Sequence, residues 1–474
     1  MCSVTAEYLG SIRSLRVTVF ATPPGREGAY RGTEGGPRLG VSLANESGEA
    51  TAPDDLAISV TLSGTGVDGP AVGRVFGVRG LRVGHRCVLE KDGRFEVKAQ
   101  VLAESDGVLS DQVDQRLLRE EKELTDHLRT SRGGESRLMC ANCGAPCARF
   151  SRVERLPHGS WIESAAQWFC ACSGTENALV YLEQVEDGLQ PTSGKCLLGE
   201  TVCILGTEDL VGVPLGPMDA AETAPLSCPS CGWALGLVAP WQSTHGTVEN
   251  SVGRAATLFK YALTVGSAGD ECEDRLEPVT RLFRSYTPTN SLAQDILLTT
   301  TSTQKMKYQI RVEDYLGGGD NGDGNGNGDG DEDRRAACFL MVQLVVLNQR
   351  VALGHRRLPW DCASGDPRED ETRVWTGPCM KVLYKILEPG EGEGDSLREE
   401  VVRECDDWAS SCDANCITVP LHVGSDLANA LRESTTELIP KDCASFDSFS
   451  IGYLGLIQDA ANSLNILQEV RVSL

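Results

Sequence analysis

The chain has 474 residues, of which 41% are hydrophobic and 24% charged, with 19 cysteines and a formal net charge of -24. That length exceeds one ordinary core and predicts three structural units in a folded, soluble composition. The acidic balance opposes direct nucleic-acid binding, because phosphate recognition needs a basic surface. The longest apolar run, CFLMVQLVVL from Cys338 to Leu347, falls far short of the roughly 20 residues that span a bilayer, so no membrane partner is expected.

The opening MCSVTAEYLG carries neither a basic flank nor an apolar run, which predicts a cytoplasmic and/or nuclear protein. In those compartments the cysteines are expected as reduced thiols or metal ligands. From Tyr8 to Val101, runs such as LRVTVF, LAISVTLS and RFEVKAQVL alternate between Gly, Pro and Asp clusters, which predicts strands. The period then changes: Val113, Leu117, Leu124 and Leu128 fall on one helical stripe, with Ser110 as N-cap and Gly133 as stop. Residues 1–135 are therefore expected as a β-rich region ending in a helix.

Residues 136–240 hold two matched turns, CANCG at Cys140 to Gly144 and CPSCG at Cys228 to Gly232. A Cys-x-x-Cys turn followed by Gly offers two thiolates from one bend, and two such turns supply the four soft ligands of a structural zinc site. Cys140, Cys143, Cys228 and Cys231 are the expected ligands; a competing set is Cys140, Cys143, Cys170 and Cys172. Between the turns, Ser160 and Glu163 form a capping box that predicts a helix from Trp161. Trp161 and Trp168 share a face of it, and Cys170 falls at its end. A helix C-terminus disfavours a free thiolate, so Cys170 reads as a metal ligand rather than a self-activated nucleophile.

Residues 241–474 are expected as a mixed α and β unit interrupted by a disordered acidic linker, 317–335. Within the linker a calcium-loop register starting at Asp323 fails at its twelfth place, where the needed Glu is Arg334. Beyond it, CFLMVQLVVL, CMKVLYKIL and SFSIGYLGLI read as strands, and SDLANALRES as a short helix capped by Ser425. The fold class is α+β. No phosphate-binding loop with Lys, His-Glu-x-x-His helix or Gly-x-Ser-x-Gly elbow competes for a catalytic role.

The ordered segments LMCANCG, RLPHGSWIESAAQWFCAC, CLLGE, CPSCGWALG, PCMKVLYKI, ECDDWASS and ITVPL resemble the HECT-like, ubiquitin-conjugating-enzyme-binding ligase family. The resemblance implies a protein that binds a ubiquitin-conjugating enzyme, accepts ubiquitin and promotes its transfer to protein substrates. It also implies an alternative, a non-catalytic inhibitor or chaperone of the metallo-β-lactamase-fold endonuclease subunit of the pre-mRNA cleavage and polyadenylation machinery. In that role Trp161, Trp168 and Cys170 would enter the endonuclease site and place Cys170 on its zinc, with Cys172 as a further partner-binding residue. Relatives commonly carry His after that Cys, whereas here Ala171 and Cys172 follow. For the ligase role, ELIPKDCASF offers Cys443 as the thioester residue.

Overall fold

The computed structural model describes residues 2–9, 14–21, 38–45, 56–63, 71–78, 81–91, 94–104, 113–131, 134–156, 191–213, 224–241, 253–267, 282–313, 338–358, 375–388, 395–439, 443–457 and 467–468. Trp161, Trp168, Cys170 and Cys172, the caps Ser110 and Gly133, and the acidic linker 317–335 lie outside them.

Seven strands come first: β1 (Cys2–Leu9), β2 (Ser14–Ala21), β3 (Arg38–Asn45), β4 (Leu56–Ser63), β5 (Ala71–Val78), β6 (Leu81–Lys91) and β7 (Arg94–Glu104). Helix α1 (Val113–Thr130) follows, and then β8 (Ser136–Cys140), β9 (Pro146–Phe150), β10 (Arg152–Arg155), β11 (Lys195–Leu198) and β12 (Val202–Gly206). The middle of the chain continues through β13 (Ala224–Ser227), β14 (Ala234–Trp241), β15 (Gly253–Phe259), β16 (Leu263–Ser267), α2 (Pro288–Thr303) and β17 (Lys307–Glu313). The last part holds β18 (Cys338–Leu358), β19 (Trp375–Leu387), α3 (Asp395–Ser411), β20 (Asn415–Pro420), α4 (Leu421–Leu438), β21 (Ser445–Phe446), β22 (Phe449–Gly455) and β23 (Leu467–Gln468). Sheets with four α-helices among the described residues make an α+β protein.

These elements fall into two compact units, one of residues 1–111, 345–385 and 429–474, the other of 112–344 and 386–428. The first unit contains the strand order β21-β22-β19-β18-β1-β2-β7-β6 and a four-stranded sheet β23-β5-β4-β3. Its core gathers Val351, Leu353, Cys379, Leu438 and Tyr453. One charge is buried there with two partners: Glu7 Oε1 lies 2.7 Å from Lys381 Nζ and also accepts from the Tyr453 hydroxyl. A buried carboxylate needs such partners, since an unpaired one costs several kcal/mol.

The second unit has a six-stranded sheet β10-β11-β12-β15-β14-β13, a three-stranded sheet β16-β8-β9, and β17 paired in parallel with β20. On α1 the stripe predicted from sequence is buried, with Leu117, Leu124 and Leu128 at 2%, 1% and 7% exposure. Glu120 joins that face and is buried because Lys260 Nζ meets it at 2.6 Å while the Tyr286 hydroxyl donates to its other oxygen at 2.6 Å. Helix α2 starts where the Thr287 hydroxyl accepts from Asn290 N–H and the Asn290 side chain accepts from Thr287 N–H, with Pro288 following.

One helix boundary differs from expectation. Ser425 does not cap α4, which begins at Leu421 and keeps Ser425 inside. The buried stripe Val423, Leu427, Leu431, Ser434 and Leu438 recruits the preceding turn. Gly424 there packs so close to Val312 that a Cβ would lie 2.2 Å from its methyl carbon.

Candidate metal centre

Both cysteine turns sit at hairpin tips, and the backbone builds them alike. β8 delivers Cys140 and turns into β9, while β13 runs up to Cys228 and β14 leaves after Trp233. Gly144 N–H donates to Cys140 O at 2.9 Å and Gly232 N–H to Cys228 O at 2.8 Å. Cys140 N–H in turn reaches Ala145 O, and Cys228 N–H reaches Trp233 O, both at 2.8 Å. Gly144 and Gly232 share φ of 73°, the left-handed region that disfavours a side chain.

The four sulfurs converge to within 4.8 Å of one another. Cys140 Sγ lies 3.8 Å from Cys231 Sγ, and Cys143 Sγ lies 3.5 Å from Cys228 Sγ. A metal bound by sulfur at about 2.3 Å in a tetrahedron has ligand atoms roughly 3.8 Å apart, so the donor set and its spacing both fit a metal ion. Cys140 and Cys228 are buried, whereas Cys143 and Cys231 are exposed.

Without an ion this arrangement is electrostatically uneven. Burial pushes the Cys140 thiol up to about 12, while the Trp233 N–H and then the Asn142 side chain pull Cys231 down to about 6. A coordinated cation removes the disparity by deprotonating all four thiols. Cys147 is a fifth sulfur in the vicinity: burial first, and the nearby Cys228 second, push its thiol up to about 12, and it donates to Ala145 O at 3.4 Å. Sequence reading missed it, although CGAPC places it four residues after Cys143.

The surroundings tie the turns into the second unit. Ala141 N–H donates to Ala262 O at 2.9 Å, and Leu263 of β16 stands opposite Cys140. Trp233 packs on His422 with ring centroids 4.9 Å apart, and Tyr261 meets the same imidazole at 6.2 Å. Burial lowers the pKa of His422, whose Nε2 has no hydrogen-bond partner among the described residues. Neither Trp233 nor His422 carries a spacing signal; only folding brings them together.

Of the residues singled out in the sequence, Cys140, Cys143, Cys228 and Cys231 are brought together. Cys443 belongs to the first unit, partly exposed and two residues before β21. The Trp161, Trp168, Cys170 and Cys172 element lies outside the described residues.

A family model described as HECT-like ubiquitin-conjugating enzyme (E2)-binding matches residues 37–451, a span that includes all four converging cysteines and Cys443. The chain belongs to this HECT-like E2-binding family. No curated protein and no solved structure matches it. Among the described residues, no helix is long and apolar enough to cross a membrane.

Proposed function

We propose that this HECT-like protein is a ubiquitin-protein ligase: it docks a ubiquitin-conjugating enzyme and promotes ubiquitin transfer to protein substrates. The family match over most of the chain carries the reading. Transfer by a HECT-like route needs a protein thiolate that attacks the thioester carbonyl of the charged conjugating enzyme and releases that enzyme's thiol. A substrate amine then attacks the new thioester and frees the ligase thiol. Cys443, partly exposed before the β21 hairpin, is the cysteine assigned to this step. Incubation with charged conjugating enzyme should give a thiol-sensitive ubiquitin adduct, lost in Cys443→Ala. Absence of any adduct on the intact chain would defeat the ligase reading, and an adduct surviving Cys443→Ala would move the carrier elsewhere.

The metal of the four-cysteine centre is assigned as zinc in a structural role, because a closed set of four thiolates leaves no coordination position for substrate. Cys140, Cys143, Cys228 and Cys231 would hold it, and it would supply cohesion between two hairpins. One equivalent of zinc per chain by elemental analysis is the expected result.

A second reading draws on the same convergence. Since four other sulfurs suffice for an internal ion, Cys170 is not required there, and the Trp161, Trp168 and Cys170 element remains for an external partner, the zinc endonuclease of pre-mRNA cleavage. Cys170→Ala should weaken binding and inhibition of that nuclease; undiminished binding would eliminate this role.

A further inference from the structure

The four thiols of the centre are of two kinds. Cys140 and Cys228 are 1% and 2% exposed, whereas Cys143 and Cys231 face solvent. Within a cluster whose sulfurs all lie within 4.8 Å of one another, two contacts run from one hairpin to the other, Cys140 to Cys231 at 3.8 Å and Cys143 to Cys228 at 3.5 Å. Each contact therefore joins one exposed sulfur to one buried sulfur.

We propose that the centre is an oxidation site, at which a peroxide converts the two cross-hairpin pairs into disulfides Cys140–Cys231 and Cys143–Cys228 and releases the metal. This rests on the assignment of zinc above. The exposed sulfurs, those of Cys143 and Cys231, attack first, since a peroxide reaches exposed sulfur before buried sulfur. Sulfur bonds to one peroxide oxygen, the O–O bond breaks, and the products are a sulfenic acid and hydroxide. The buried partner, Cys228 or Cys140, then attacks that sulfur and displaces its hydroxyl group as the disulfide forms. Each pair gives up two electrons, and one peroxide takes up two protons to become two waters. For the whole centre, four thiolates, two peroxides and four protons yield two disulfides, four waters and one free zinc ion.

Two features of the fold favour this outcome over random oxidation. The sulfurs need only close to about 2 Å, and the tips that must move, 141–144 and 229–232, are exposed turns. Cys147, the sulfur best placed to interfere, is fully buried and its thiol is engaged by Ala145 O. The products would still clamp β8–β9 to β13–β14, with covalent links in place of the ion, so thiol reductant and zinc should restore the original centre.

The test uses the intact zinc-loaded chain. Zinc content is measured first, hydrogen peroxide is added, released zinc is followed with a chromogenic chelator, and linkages are mapped by mass spectrometry without reduction. Expected are release of one equivalent of zinc with Cys140–Cys231 and Cys143–Cys228 as the dominant linkages, and recovery on adding dithiothreitol and zinc. Linkages within a turn, linkages through Cys147, sulfonic acids without disulfides, or retention of zinc at millimolar peroxide would each overturn the proposal. A chain purified without metal would overturn the zinc assignment instead, and the linkages formed by its free thiols would still show whether the cross-hairpin pairing holds.

Discussion

Gly144 and Gly232 separate two demands that glycine usually meets together. A Cβ at either position would meet no atom within 4 Å, so space is available, yet φ of 73° is required. Alanine in this conformation costs about 1–2 kcal/mol. Gly144→Ala should therefore weaken metal affinity at the four-cysteine centre roughly 5- to 30-fold by that energy, measurable by chelator competition, without loss of fold. Asp295 makes a different prediction. Burial, with Glu200 adding to it, raises its carboxyl to about 6, although the Thr201 hydroxyl donates to it at 2.7 Å. Its folded pKa lies above the unfolded value, so its contribution to stability is complete below about pH 4 and is lost as pH rises through about 6. Asp295→Asn should flatten that slope, of at most about 1.4 kcal/mol per pH unit, in denaturant titrations between pH 4 and 7.

At the scale of elements, α1 and the turn after β15 are joined by a buried charge pair. Lys260 and Glu120 are 0% and 1% exposed. Lys260 Nζ also reaches Glu200 O at 3.2 Å and lies 5.1 Å from the Tyr286 ring centroid. Removing one member leaves the other charge buried and unmatched, so Lys260→Met should cost roughly 3–5 kcal/mol. Lys260→Met combined with Glu120→Leu should recover much of that loss, because apolar replacement of a whole buried pair is often near neutral. Chemical denaturation of the two variants checks the sign. A similar rule governs β14, where Gly236 lets the strand lie against β15: a Cβ would stand 1.9 Å from Thr257 O. Backbone cannot yield as a flexible side chain does, so Gly236→Val should lower stability by several kcal/mol through strain between two strands.

For the whole molecule, the two units have separate means of cohesion. The first rests on its apolar cluster and the Glu7–Lys381 pair, while the second adds the four-cysteine centre. Metal binding to such a site contributes directly to folding. Chelation should therefore lower amide-exchange protection chiefly in β8, β9, β13, β14 and β16, and leave Val351, Leu353 and Cys379 protected. Equal loss in both sets would show that the ion stabilises the entire chain rather than its own unit. Acid should have the same local effect as chelation, since protons compete with the metal for thiolates.

Local pattern specified the strands of LRVTVF, LAISVTLS and RFEVKAQVL, the buried stripe of α1 and the two cysteine turns. Each is a local pattern, set by pleat, helical repeat or the φ that only glycine readily adopts. Neighbouring residues decide such features, so they survive in the sequence. Local pattern failed at the start of α4, where burial of Val423 extended the helix past the apparent cap Ser425. It was equally silent on Lys260 beside Glu120, 140 residues away, and on Trp233 beside His422. The two cysteine turns, 88 residues apart, were legible as one expected ligand set, with Cys140, Cys143, Cys170 and Cys172 as its competitor. Their convergence, and the division into exposed and buried sulfurs, depends on which strands pair, and strand pairing is a choice made by the folded core.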